Sequence, residues 1–148
     1  MYKHILIATD GSDLAQQAVM HGIAIAKAFN AEVTIVTATP VWSVLQMAGY
    51  AQAGAPRRIE DFEIMSAKTA RNILTACAEE ARKAGVSCHT LHVKGTEPDE
   101  AILAAAKSRQ CDLIVMASHS RGPLGRMLLG SVAMKVLTNA AVPVHVVR

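Results

Sequence analysis

Five short apolar runs, at residues 4–8, 32–38, 86–93, 112–117 and 142–147, are each separated from the next by a segment of helical periodicity. Such alternation leaves few architectures open, because strands that alternate with helices build a parallel sheet joined by right-handed crossovers and covered by helices. The run at 112–117 is almost wholly apolar, as a central strand buried on both faces must be. Between the runs, Leu14, Ala18, Val19, Gly22, Ile23, Ala26 and Phe29 recur at three- and four-residue spacing, with Asn30 where a left-handed helix end belongs. Residues 60–84 form a long helical pattern stopped by Gly85. The segment 95–99 reads as a helix start, with Thr96 as the cap and Pro98 in the first turn, running to about residue 109. Residues 131–139 complete four helices. The expected fold is α/β, a single three-layer domain over residues 1–148. Ligands of such sheets bind beyond the carboxyl ends of the strands, which singles out the connections 8–12, 38–56 and 117–131. The second of these overlaps the only long irregular stretch, 39–59, where Trp42, Met47 and Tyr50 are scattered among Pro40, Gly49, Gly54 and Pro56.

Composition sharpens this picture. The chain is 51% hydrophobic but only 3% aromatic and 18% charged, so its core is built from Ala, Val, Ile, Leu and Met, and disorder is excluded. A chain of 148 residues buries about two-thirds of its unfolded surface, enough to dispense with disulfides or a structural metal. Cys77, Cys88 and Cys111 are odd in number and lack C-x-x-C spacing, which favours small buried thiols in a reducing compartment. No run approaches the ~18 apolar residues of a membrane span, and the start carries no leader pattern. A soluble, cytoplasmic protein is expected, without nucleic-acid or membrane partners. The net charge of +3 is small, but from Lys107 onward six basic residues face one acid, Asp112, so the positive charge gathers at the C-terminal end.

Several chemistries are excluded by missing motifs. There is no G-x-x-x-x-G-K-[ST] phosphate loop, no G-x-G-x-x-G after the first strand, no G-x-S-x-G elbow and no H-E-x-x-H. A phosphotransfer receiver needs an Asp ending the third strand, where Leu91, His92, Val93 and Lys94 stand. His89 and His92 fall on opposite faces of one strand and are not expected to share a metal. What remains is the stretch from Met116 to Val132. Gly130 and Ser131 open a helix there, and a helix N-terminus offers unpaired N–H groups and a positive dipole end to an anion. Arg121 and Arg126 supply charge in the same loop. Ser131 either caps the helix or donates to the anion. Asp10, ending the first strand, lies across the crevice, positioned to accept from a ribose hydroxyl or to hold a divalent ion's water; the simpler role is a turn residue beside Gly11. His119 is the single titratable ring in the loop, with no acid near it in sequence, so a loop or phosphate contact is expected rather than a general base.

Taken together, the start from His4 through Asp10, Gly11 and Ser12, the entry Gly95-Thr96-Glu97-Pro98, the run 112–116, and the tail from Leu129-Gly130-Ser131-Val132 to Pro143–Val147 resemble the universal stress protein family from end to end. That resemblance implies a Rossmann-like sheet of five parallel strands in the order 3-2-1-4-5. It implies a homodimer paired through the last strand, with Val142, Val144 and Val146 at the interface. Nucleotide-binding members of the family carry Gly-x-x-Gly, nine residues, then Gly-Ser/Thr. Here Ala117, Ser120, residues 121–129 and Gly130-Ser131 keep the spacing with two glycines replaced. The resemblance then implies Ala8 and Asp10 near a ribose, Ala38 and Met116 near a base, and Ala117, Ser120, Gly130, Ser131 and Val132 along the phosphates, with Arg121 beside them. The implied ligand is ATP, with Mg, bound for regulation, and at most weak ATPase or autophosphorylation follows. The alternative is a member that binds no nucleotide and acts through protein contacts. A dedicated enzyme of this architecture, such as an adenylate-forming pyrophosphatase, would need a Ser-Gly-Gly-x-Asp-Ser loop after the first strand, which residues 9–13 do not supply.

Overall fold

The structure, a computed structural model, describes residues 1–41, 48–49, 52, 59–119 and 128–148. Among the described residues its strands are β1 (His4–Ala8), β2 (Glu32–Thr39), β3 (Cys88–Lys94), β4 (Leu113–Ala117) and β5 (Val144–Val147), and its longer helices are α1 (Asp13–Phe29), α2 (Ile59–Ala84), α3 (Pro98–Ser108) and α4 (Ser131–Asn139); residues 48–49 and 52, within the stretch expected to be irregular, are helical as well. All strand pairings are parallel, as the alternation of elements led us to expect, and the order is β3-β2-β1-β4-β5, as the family resemblance implied.

The two faces of the sheet follow from the period-2 alternation of a strand. Ile5, Ile7, Val33, Ile35, Leu113, Val115 and Val147 face α1 and α2, packing with Val19, Ile23, Leu74 and Ala81. Leu6, Ala8, Val36, Ile114 and Met116 face α3 and α4, packing with Ile102, Ala105, Ala133 and Val136. Because β1 lies between β2 and β4, Ile5, Leu6 and Ile7 are wholly buried, each stabilising the fold by about 1.5–3 kcal/mol. The thiols behave as small apolar groups: burial pushes both Cys88 and Cys111 up to about 11, so they stay protonated at neutral pH.

Local signals set the element ends. Ser12 caps α1, accepting from the Ala15 N–H at 3.2 Å, and Asn30 closes it at φ 53°. The expected cap of α3 moves by one residue. Glu97, not Thr96, is the N-cap and makes no side-chain bond. Gly95 turns at φ +66°, its N–H donates to the Thr39 carbonyl, and the Thr96 hydroxyl is drawn back to the Lys94 carbonyl instead. The third strand starts two residues later than its apolar run, because the Val86 N–H closes α2 on the Ala81 carbonyl. Likewise β5 starts at Val144, with Pro143 contributing only its carbonyl to Ile114.

Candidate functional site

The strand ends bring the expected residues together. Ala8, Asp10, Ala38, Met116, Ala117 and Val132 line one cavity of about 150 Å³, at the carboxyl ends of β1, β2 and β4. Thr9, Ala15, Val36, Pro98, Ile102 and His119 complete its lining. A second, larger cleft adjoins it and shares Asp10, Ala117, His119 and Val132, adding Ser118 and residues 128–131. The first compartment is almost wholly apolar and the second is mixed, with about half of its lining polar, a division suited to a ligand with a flat apolar end and a charged end. Ser120, Arg121 and Arg126 lie outside the described residues, as do Trp42, Met47 and Tyr50 of the long connection.

The second cleft is organised around the start of α4. Gly130 is the N-cap at φ −63° and ψ 156° and has no side chain with which to cap. Ser131 therefore does not cap the helix, and occupies its first turn. The Gly130 N–H donates to Ser118 Oγ at 2.8 Å, while the Ser118 N–H donates to the Val147 carbonyl at 2.9 Å. The buried Ser118 thus ties α4 to the end of the sheet, a role the sequence did not disclose. Beyond Gly130, helix geometry leaves the N–H groups of Ser131, Val132 and Ala133 without intrahelical acceptors. A side chain at 130 is excluded by contact: a β-carbon there would overlap the His119 carbonyl oxygen. By contrast, Ala117 sits in β4 opposite Val147 and outside the positive-φ residues, so its β-carbon imposes no backbone strain where the family pattern has glycine.

Asp10 stands between the compartments. Its Oδ1 accepts from the Ser12 N–H at 3.0 Å, and its Oδ2 lies 3.3 Å from His119 Nε2. Burial pushes the carboxyl up, but hydrogen bonds from the Ser12 hydroxyl and N–H and the facing His119 outweigh that and hold it below its ordinary value. Asp10 is therefore a turn acceptor at Gly11-Ser12, and its carboxylate lies at the crevice. His119 Nε2 also lies 3.1 Å from Ser12 Oγ. The acid that orients His119 is thus present, but it comes from the first strand, 109 positions away in sequence. Both partners meet the same ring nitrogen, whereas a nucleophile–base–carboxylate relay uses the two nitrogens of the ring. Among the described residues, these contacts hold Asp10 and Ser12 on that nitrogen.

His89 and His92 have separate partners, Glu32 and Thr39 respectively. Val142, Val144 and Val146 lie away from the cavity, half-buried along the edge strand, and pack against the α3–α4 face. No described helix is long and apolar enough to cross a membrane.

Comparison with known proteins agrees with this architecture. The model of the universal stress protein family matches residues 1–148. The chain is 38% identical over 148 residues to universal stress protein MJ0531 of Methanocaldococcus jannaschii, covering 100% of this chain and 83% of that protein. Among solved structures, protein MJ0577 of the same organism superposes with a TM-score of 0.76 at 28% identity, covering 99% of this chain and 96% of that one. A universal stress protein solved in complex with cAMP superposes with a TM-score of 0.70 at 26% identity, covering 99% and 97%. On the match across its whole length and the shared strand order, this chain belongs to the universal stress protein family.

Proposed function

We propose that this protein is a cytoplasmic stress-response protein that binds ATP as a regulatory ligand and works as a homodimer paired through β5. The observation that carries the nucleotide reading is the junction of the apolar cavity under Ala8, Ala38 and Met116 with the N-terminus of α4, with Asp10 between them. Adenine fits the first, the phosphates fit the N–H groups of Ser131 and Val132, and the Asp10 carboxylate accepts from the ribose hydroxyls. Asp10 is also the carboxylate through which water of a phosphate-bound magnesium ion would be held. The related structure holding cAMP supports an adenine nucleotide as the ligand class. Ser120 and Arg121 would add contacts along the phosphates.

The geometry favours binding over turnover. Holding Asp10 and Ser12 on one nitrogen leaves His119 poorly placed to activate water, so hydrolysis or autophosphorylation is slow at most. A second reading, a member that binds no nucleotide and acts through its surface, is favoured by one observation: the Asp10 carboxylate is already engaged by Ser12 and His119. Amide resonances followed by NMR during addition of ATP separate the two. Saturating shifts at Ser131, Val132, Ala133 and Thr9 support the nucleotide reading; shifts absent there at millimolar ATP refute it.

A further inference from the structure

Away from the cleft, two histidines 124 positions apart in sequence meet ring to ring on the opposite side of the sheet. His21 projects from α1 and His145 from the edge strand β5, with Nδ1 of the first 3.3 Å from Nε2 of the second, ring centroids 5.5 Å apart and ring planes inclined at 33°. We propose that His21 and His145 are the two protein ligands of a site for a divalent transition-metal ion of the zinc class, with water completing its coordination.

The distances carry the argument. A tetrahedral zinc with Zn–N bonds of about 2.05 Å places neighbouring ligand nitrogens about 3.3 Å apart and the imidazole centroids about 5 Å apart. The pair presents the first distance, as a hydrogen bond between the rings that the ion would replace, and its centroids stand somewhat wider than the second. His4 and His89, the other neighbouring rings, stand 6.5 Å apart and are each drawn to Glu32, whose carboxylate lies between them. His92 and His119 have Thr39 and Asp10 as partners. His21 and His145 are thus the rings whose nitrogens converge on each other. Their spacing is set by the core beneath them: Gly22, next to His21, lets α1 approach so closely that a β-carbon there would strike the Ile7 side chain, and Val19, Ile23 and Val147 are buried together under the pair. Both rings reach solvent, so an ion can enter and water can fill its remaining positions. No group of three or more metal-ligating side chains occurs among the described residues, so the site is open and its affinity follows the Irving–Williams order, copper above zinc.

Isothermal titration of untagged, full-length protein with zinc chloride tests this, alongside His21→Ala, His145→Ala and His89→Ala variants whose folding is checked by circular dichroism. The expected result is saturable binding near one zinc per chain, weakened at least tenfold in His21→Ala and in His145→Ala and unchanged in His89→Ala. Half a zinc per chain with the same losses would place two such pairs on one ion and support the same ligands. No saturable binding, or wild-type affinity in either the His21 or the His145 variant, overturns the proposal.

Discussion

A single β-carbon at position 130 would overlap the carbonyl oxygen of His119, so the residue that opens α4 is fixed by contact. Gly130→Ala is expected to displace the 119–130 junction, destabilising the fold by about 1–3 kcal/mol and weakening ATP binding at least tenfold. Thermal melts and equilibrium dialysis read the two effects. Asp10 provides a second test at this scale. Because its folded value lies below the ordinary carboxylate value of about 3.9, the stability it contributes is present above that pH and is lost as the pH falls through the lower folded value. The side chain is 62% exposed, so this contribution is small. Urea unfolding of Asp10→Asn is therefore expected to show a modest deficit at pH 7 that closes below about pH 4, and ATP affinity at pH 7 to fall about tenfold with the loss of a charged acceptor. Asp10 was legible in the sequence because it closes a strand before Gly-Ser. Its link to His119 was not, because the fold alone brings those two positions together.

At the level of elements, the sequence pattern disclosed the five strands and the four longer helices of the described residues, since periodicities of 2 and 3.6 leave different marks, but it did not disclose that residues 48–49 and 52 are helical. In those nine elements the errors fall at ends decided by backbone bonds. Thr96 looked like a cap by residue type, but the left-handed turn at Gly95 carries its hydroxyl back to Lys94. Val86 belonged to an apolar run, but its N–H is taken by the end of α2. The packing of α1 on β1 depends on a feature that periodicity does not reveal, the close approach of Gly22 to the fully buried Ile7. Gly22→Ala is expected to lower stability by about 1–2 kcal/mol through overpacking, despite the better helix propensity of alanine, and to leave ATP affinity unchanged. Denaturant titration with and without nucleotide checks this.

For the whole molecule, the unpaired side of β5 is the feature that a monomer leaves open. The Pro143 and Val147 carbonyls accept from the Ile114 and Ser118 N–H groups, so by strand alternation the N–H and carbonyl groups of Val144 and Val146 point away from the sheet. Pairing of two such edges would satisfy them. Val146→Pro removes an outward N–H while sparing the bonds to β4, and light scattering is expected to show a dimer for the wild type and a monomer for the variant. The division of the site into an apolar cavity and a polar helix start was legible only in part. Strand ends and Gly130-Ser131 announced it, while Ser118, Pro98 and Ile102 entered through packing that no spacing rule predicts. The central claim is that this junction holds an adenine nucleotide. Isothermal titration of the purified protein with ATP and magnesium, after unfolded protein has been checked for co-purified nucleotide, tests it most directly. Saturable binding near one ATP per chain is the predicted result; no heat at millimolar ATP, with no nucleotide carried through purification, would contradict it.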